Sequence, residues 1–467
     1  MTGLSFTRKT VTKITMNKKN KNVDMLNGSI TKGILAMSIP IMIMNVMQML
    51  FNIIDMSSLK WFGKESAVGA VGTCGTLTTI CTSLLVGLSA GANVVIARHL
   101  GTKEQKKAND ATSTSLIIAL AGGILLALLG AIFAEPLVGL TKCPDSLMPD
   151  AVSYFRTYFY GVPVIMIYNF CAAILRALGD AKKPMRFLIT AGIIKTCMCI
   201  VLVGLFDMSV EGVALATIIA YTVIAILGLR AVLGYKDIIQ VDLKKLAFDF
   251  GEFKDIIHMG VPAGLQSALY SVANLTIVAT VNSFGEAATK GLSIANQFDA
   301  VLYHVSYAPS LAVIPFVAQN MGAKNYDRVK KIIKTSIIIV VAFGATIGAL
   351  SAIFSGQLSS LMTSDPAAIR YSQQKMMLVS STYFICGINE IMGGVHKGMG
   401  KPMLPTIATL IFMCLIRFPW VWFVFPLFSG PNTLTYLYLI WPIGWILSIT
   451  TLVIGYFPTM KKIKRGI

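Results

Sequence analysis

The chain is dominated by long apolar segments separated by short polar or basic ones. Segments such as 115–133 and 336–354 contain no charged side chain, and each is long enough for a helix of about 20 residues to cross a bilayer core. Backbone amides in hydrocarbon must be bonded within their own segment, so runs of this length are expected to be helices. The pattern predicts an all-α, polytopic membrane protein.

The apolar runs predict twelve membrane spans. They are 34–58, 67–96, 112–133, 152–175, 186–206, 210–232, 257–283, 291–318, 332–355, 372–396, 403–427 and 434–457. The Gly-rich stretch GLSAGANVV leaves open whether the second span is a continuous or a broken helix. Basic tails, residues 1–33 and 458–467, flank the spans.

The two halves of the chain repeat one another. Four pairs of matching positions are 222, 222, 221 and 221 residues apart, namely Pro40 and Pro262, Phe62 and Phe284, Ala97 and Ala318, and Arg176 and Lys397. The repeat predicts two parallel six-helix lobes, 34–232 and 257–457, joined by the polar linker 233–256. Parallel halves related by an axis along the membrane normal are a known transporter design, in which the substrate path lies between the lobes.

Charge distribution sets the orientation. Hydrophobic residues make up 55% of the chain and charged residues 13%, whereas soluble domains carry about 25% charged residues. The net charge of +19 comes mostly from loops and tails on one side of the predicted spans. This asymmetry predicts a multi-pass protein of the cell membrane with both termini in the cytoplasm. Its expected partner is the lipid bilayer, and no motif supports binding to nucleic acid.

The sequence carries no recognisable catalytic or metal-binding pattern. The four histidines and eight cysteines lack ligand spacing, and no Walker loop, HExxH or GxSxG motif is present. We therefore expect a protein that is not an enzyme and that holds no metal or cofactor. We also expect a monomer.

Several motifs resemble those of the MATE family, the multidrug and toxic-compound extrusion transporters. The motifs run in order from about residue 26 to 457: LNGSITKGILAMSIPIM, NIID, GLSAGANVVIARHLG, AILRALGDAKKPM, VEGVALAT, AQNMGAKNYDRVKK, LIRFPW and WPIGW. The resemblance implies two lobes around a central cleft that alternates between the membrane faces. It also implies export of organic cations against inward H⁺ or Na⁺.

The resemblance implies a cation-coupling site in the N-terminal lobe. Asn52 and Asp55 match the family's N-x-x-D motif, and Tyr154 and Thr217 match polar positions that line its site. The fifth helix departs from the family pattern, because Lys195 stands where relatives have an asparagine and a cysteine replaces the second acid. A carboxylate at membrane depth is costly and marks an ion pathway, unless it lies at the wetted interface. We predict that Lys195 pairs with Asp55, which favours either coupling to H⁺ rather than Na⁺ or a non-ionic task for this lobe.

The second half carries its own intramembrane charges, Asp299, Glu390 and Arg417. Arg417 either serves transport or holds its helix to a neighbour, and Glu390 either lines the cleft or extends towards Lys397. Aromatic residues and methionines of this half could line an adaptable cavity for organic cations, although such residues more often pack the core or face lipid.

The predicted function is secondary active efflux of small organic, cationic amphiphilic molecules. A lipid-linked saccharide flippase, or another metabolite exporter of the same superfamily, is the alternative. A flippase for anionic head groups should line its central cavity with several Arg or Lys residues. Near mid-membrane the sequence offers only Lys195 and Arg417, which favours the efflux pump.

Overall fold

The computed structural model describes residues 22–62, 65–141, 143–243, 246–428, 430 and 433–465. Most of the predicted tail 1–33, and the last two residues of the tail 458–467, lie outside the described residues. Twelve helical units, called helix 1 to helix 12, follow in order: Ile30–Trp61, Glu65–Thr102, Gln105–Ile132, the pair Met148–Tyr160 and Val162–Ala177, Lys182–Leu205, Val210–Leu233, Phe250–Asn282, Glu286–Gly322, Tyr326–Ile353, the pair Pro366–Val379 and Tyr383–Gly398, Met403–Leu427, and the pair Thr433–Tyr438 and Ile440–Arg465. Short helices, Ala134–Gly139 and Ser355–Ser360, follow helices 3 and 9.

The all-α prediction is confirmed, with local departures from the predicted spans. Helix 2 is continuous through its Gly-rich stretch. Helix 4 bends by 48° at Gly161, where Pro163 enters the first turn of the second segment and cannot donate a backbone hydrogen bond. Helix 12 continues to Arg465. Within the described residues, nine helices are long and apolar enough to cross a membrane, or ten if the bent pair counts as one.

The helices divide into two sets of six. Helix 6 ends at Leu233 and helix 7 begins at Phe250, and the chain between them is mostly without regular structure. As limits of domains, 34–232, 233–256 and 257–457 stay predictions. The starts of helices 1 and 7 and the ends of helices 2, 8 and 12 lie on one side, which we call the basic side.

The two lobes touch through glycines of helix 2. A methyl group on Gly87 would clash with the backbone of Gly264 of helix 7, and one on Gly91 would clash with the backbone at Ile256. Gly101, further along helix 2, meets the carbonyl of Gln319 of helix 8 in the same way. Small residues allow helix backbones to approach this closely. The lobes are therefore in direct contact towards the basic side.

Polar contacts reinforce this junction between the lobes. Arg98 lies 2.6 Å from Asp255, and His99 Nε2 lies 2.9 Å from Glu252, so helix 2 is tied to the start of helix 7. The segment before helix 1 also connects both lobes. The backbone N–H of Val23 donates to Gly179 at 3.1 Å, while Met25 accepts from Asn320 at 3.0 Å.

Candidate functional site

Asp55 and Lys195 form a buried ion pair between helices 1 and 5. Lys195 Nζ lies 2.8 Å from Asp55 Oδ1 and donates to Oδ2 at 2.9 Å. The exposed fraction is 4% for Asp55 and 2% for Lys195. The ammonium also lies 5.1 Å from the ring centroid of Phe51, within the range of a cation–π contact. The predicted contact between Asp55 and Lys195 is therefore present, and the carboxylate is not a wetted interfacial one.

The other residues predicted for this site are placed differently. Tyr154 of helix 4 is buried. Thr217 of helix 6 is also buried, but its hydroxyl donates to the carbonyl of Val213 in its own helix at 3.1 Å. Asn52 lies on an exposed face of helix 1. The geometry thus centres this site on one carboxylate and one ammonium.

A second buried ion pair, which the sequence did not predict, lies in the C-terminal lobe. Asp299 of helix 8 lies with Oδ2 2.7 Å from Nζ of Lys375 in helix 10. The lysine, 2% exposed, also donates to the side chain of Asn296. Ser380 donates to Asp299 Oδ1 at 3.5 Å. In the sequence, Lys375 lies near the outer end of the predicted span 372–396, and no motif there pairs it with Asp299.

This second pair lines a cavity of about 370 Å³. The remaining wall combines aromatic and amide side chains, namely Tyr303, His304, Tyr383, Trp441, Asn274 and Asn296. Rings and amides of this kind suit an amphiphilic organic molecule, because ring faces contact its apolar body while the amides bond its polar groups.

Arg417 of helix 11 supports the wall of that cavity. It is 2% exposed, and its Nη1 donates to Asn274 of helix 7 at 2.8 Å. Its guanidinium lies 5.4 Å from the ring centroid of Trp441, and Nζ of Lys375 lies 5.2 Å from the same ring. Of the two uses foreseen for Arg417, the structure shows the one in which it holds helix 11 to helices 7 and 12; a role in transport stays a prediction.

Glu390 lines a smaller cavity further along the same lobe, of about 30 Å³, together with Lys397, Tyr303 and Tyr307. Within the described part of the chain, no ion pair shorter than 4 Å joins Glu390 and Lys397. Tyr303 also lines the cavity of Asp299. Polar side chains thus continue along helix 8 from the Asp299 pair towards the basic side.

A third cavity, of about 90 Å³, lies between the lobes and is lined by Arg176 of helix 4 and Lys397 of helix 10.

The profile of the MatE family matches this chain twice, at residues 40–201 and 262–423. The two matches are displaced by 222 residues and together cover more than half of the chain. The chain belongs to the MatE family.

Known MATE proteins and their relatives resemble the chain over most of its length. A probable multidrug resistance protein of Bacillus subtilis, YpnP, is 28% identical over 85% of this chain and 89% of its own length. A FAD transporter of Shewanella oneidensis is 26% identical over 85% of this chain and 88% of its own. The crystal structure of a MATE protein in complex with MaD3S has a TM-score of 0.86 at 19% identity, covering 96% of this chain and 100% of that one. The chain is therefore a transporter with the twelve-helix, two-lobe MATE fold.

The MATE repeat relates the cations of these sites to one another. A displacement of 222 residues takes Lys195 to Arg417 and Asn52 to Asn274. Arg176 and Lys397 were already matched in the sequence, but only as a sign of the repeat. The sequence shows that both residues lie at the end of a helix on the same side of the membrane. It does not show that both face the space between the lobes.

Proposed function

We propose that this MATE protein is a secondary active exporter driven by H⁺, and that Asp55 is the residue that binds the proton. The positive-inside asymmetry of the sequence supports a protein of the cell membrane whose basic side and both termini face the cytoplasm. The observation that carries the proposal is the ion pair of Asp55 with Lys195, 2.8 Å apart, at a site that is almost fully buried.

A proton and a sodium ion would act differently on this pair. A proton neutralises Asp55 and leaves Lys195 as an unpaired charge in a poorly hydrated place, which is unfavourable. Loss of the attraction frees helix 1 from helix 5 and gives a reason for the lobe to change shape. Sodium would have to bind beside the Lys195 ammonium, which repels it.

The cargo is proposed to be small, organic and amphiphilic. The aromatic wall around Asp299 supports this class, and relatives named multidrug resistance protein, multidrug export protein and FAD transporter support export of organic molecules. The cationic charge expected from the family stays a prediction. Asp299, the carboxylate that would attract a cation there, is already paired with Lys375.

The proposal is tested with purified protein in liposomes and an imposed gradient of either H⁺ or Na⁺. Dye movement is followed by fluorescence for rhodamine 123 and fluorescein, which share a ring system and differ in charge. We expect an H⁺ gradient to drive transport of at least one dye and Asp55→Asn to reduce that transport to the level of empty liposomes. Asp145→Asn, at an exposed loop position, is the matched control and should behave as the parent. Transport driven only by Na⁺, or full activity of Asp55→Asn, would contradict the proposal.

A further inference from the structure

The cavity between the lobes has walls from both halves of the repeat. Helices 1 and 4 contribute Asn45, Gln48 and Arg176, and helices 8 and 10 contribute Tyr307 and Lys397. Its position next to the contact of helices 2 and 7 puts it on the line where the lobes must separate. A group bound here touches both lobes at once.

The two cations of this cavity are equivalent by the repeat and lack a close counter-charge. Within the described residues, neither Arg176 nor Lys397 forms an ion pair or a side-chain hydrogen bond. Glu390 lines the adjoining cavity together with Lys397. Asp180, four residues after Arg176, instead accepts from Tyr235 at 2.7 Å and lies 3.5 Å from Lys183.

The two charged groups of this wall are both hydrogen-bond donors. The amide nitrogen of Asn45 is buried without a hydrogen-bond partner, and Arg176 and Lys397 supply guanidinium and ammonium donors. Arg176 and Lys397 are half-buried, and a cation partly withdrawn from water is stabilised by a negative charge that contacts it. Among the described residues that line this cavity, none is an acid.

We propose that this cavity binds the anionic group, a carboxylate or phosphate, of an amphiphilic substrate through Arg176 and Lys397. This inference rests on the proposed export function and predicts that the exported molecule carries a negative charge. Guanidinium and ammonium groups form strong, charge-assisted hydrogen bonds with carboxylate and phosphate oxygens. A volume of about 90 Å³ holds the charged group, while the apolar body of the substrate extends along the cleft once the lobes separate.

An organic cation fits the same walls poorly. Of the intramembrane carboxylates described above, Asp55 and Asp299 are each paired with a lysine. Only Glu390 is left to attract a cation, and it shares its wall with Lys397. A cation entering between the lobes would meet Arg176 and Lys397 together.

The inference is tested by equilibrium binding to the full chain in nanodiscs of zwitterionic lipid, without any gradient. Fluorescence anisotropy compares fluorescein, an anion, with rhodamine 123, a cation. We expect fluorescein to bind more tightly, and Arg176→Gln and Lys397→Gln each to weaken it by about tenfold, as for loss of one charged hydrogen bond. Rhodamine 123 should bind the variants as well as, or better than, the parent.

Three controls make the result specific. Arg186→Gln removes an exposed cation near the same side and should bind fluorescein as the parent does. Lys397→Arg keeps the charge and should retain binding, which separates loss of charge from loss of fold. Asp145→Asn, the control of the transport assay, should also bind fluorescein normally; because binding is measured without a gradient, failure of H⁺ coupling and failure of this site give different results.

Nanodiscs that contain phosphatidylglycerol identify the source of the anion. If this lipid displaces fluorescein from the parent but not from Arg176→Gln, the occupant is a lipid head group; if it does not, the occupant is a soluble anion. Either result supports an anionic site. Tighter binding of rhodamine 123 than of fluorescein, or unchanged fluorescein binding in both Gln variants, would overturn the inference.

Discussion

The two lobes carry a cation at the same position of the repeat, but it meets different partners. In the N-terminal lobe Lys195 pairs with Asp55. In the C-terminal lobe the equivalent Arg417 bonds a neutral amide, Asn274, and the position equivalent to Asp55 is Ile277. The paired acid of that lobe is Asp299, on helix 8, and its lysine comes from helix 10.

The difference separates two tasks that one fold can perform. A nearly fully buried pair suits a switch, because adding one proton changes its charge balance without contact with the cargo. A pair that lines a cavity of about 370 Å³ suits contact with the cargo itself. The comparison predicts that the lobes respond differently to equivalent substitutions.

Removal of Lys195 should have the largest effect on stability. Lys195→Met leaves Asp55 as an uncompensated buried charge, and breaking a buried pair in this way costs about 3–5 kcal/mol of unfolding free energy. The double variant Asp55→Leu with Lys195→Met removes both charges and should recover most of that loss without recovering H⁺-driven transport. Equilibrium unfolding in mixed SDS and detergent micelles measures both. Equal stability of the two variants would show that the pair contributes nothing.

The equivalent change in the other lobe, Arg417→Met, should cost less. It leaves the amide oxygen of Asn274 without this donor, and an unsatisfied buried neutral group costs about 1–3 kcal/mol. The same unfolding measurement compares it with Lys195→Met. A larger loss for Arg417→Met would reverse the assignment of the two lobes.

Asp299→Asn should change the affinity for cargo more than the coupling. The amide keeps the shape of the side chain but unbalances Lys375 at the cavity wall, and we expect KM to change by about tenfold, equivalent to about 1.4 kcal/mol. H⁺ should still drive transport at saturating substrate. Initial rates over a range of dye concentrations separate KM from the maximal rate; loss of H⁺ dependence with KM unchanged would contradict the prediction.

Asn52→Ala should have the smallest effect. Its side chain is exposed, and surface substitutions usually change stability by about 0.5 kcal/mol or less. Transport driven by H⁺ should remain close to that of the parent, whereas Asn274→Ala should be measurably less stable. A strong coupling defect in Asn52→Ala would mean that Asn52 turns towards Asp55 during transport.

The sites that depend on a residue's position along its helix could be predicted from the sequence. Those that depend on the direction in which the residue faces around the helix axis could not. Asp55 and Lys195 could be paired because both interrupt apolar runs and both helices enter from the same side. The pairing of Lys375 was not predicted because the residue lies close to the outer end of the predicted span 372–396. The position of Arg176 and Lys397 in the cavity between the lobes was not predicted. The sequence places a residue along its helix but does not say whether it faces lipid, the core or the other lobe. That direction is set by packing between distant segments.

Counter-transport of protons tests the central claim most directly. Liposomes that contain a trapped pH-sensitive dye and carry the parent, Asp55→Asn or Asp299→Asn are given an outward-directed gradient of transported substrate, in buffers without Na⁺. The account predicts that substrate movement drives H⁺ in the opposite direction in the parent and in Asp299→Asn, and that Asp55→Asn moves no H⁺. Proton movement that persists in Asp55→Asn would show that Asp55 is not the proton-binding residue, and its loss only in Asp299→Asn would move that role to the C-terminal lobe. Either result would contradict the account.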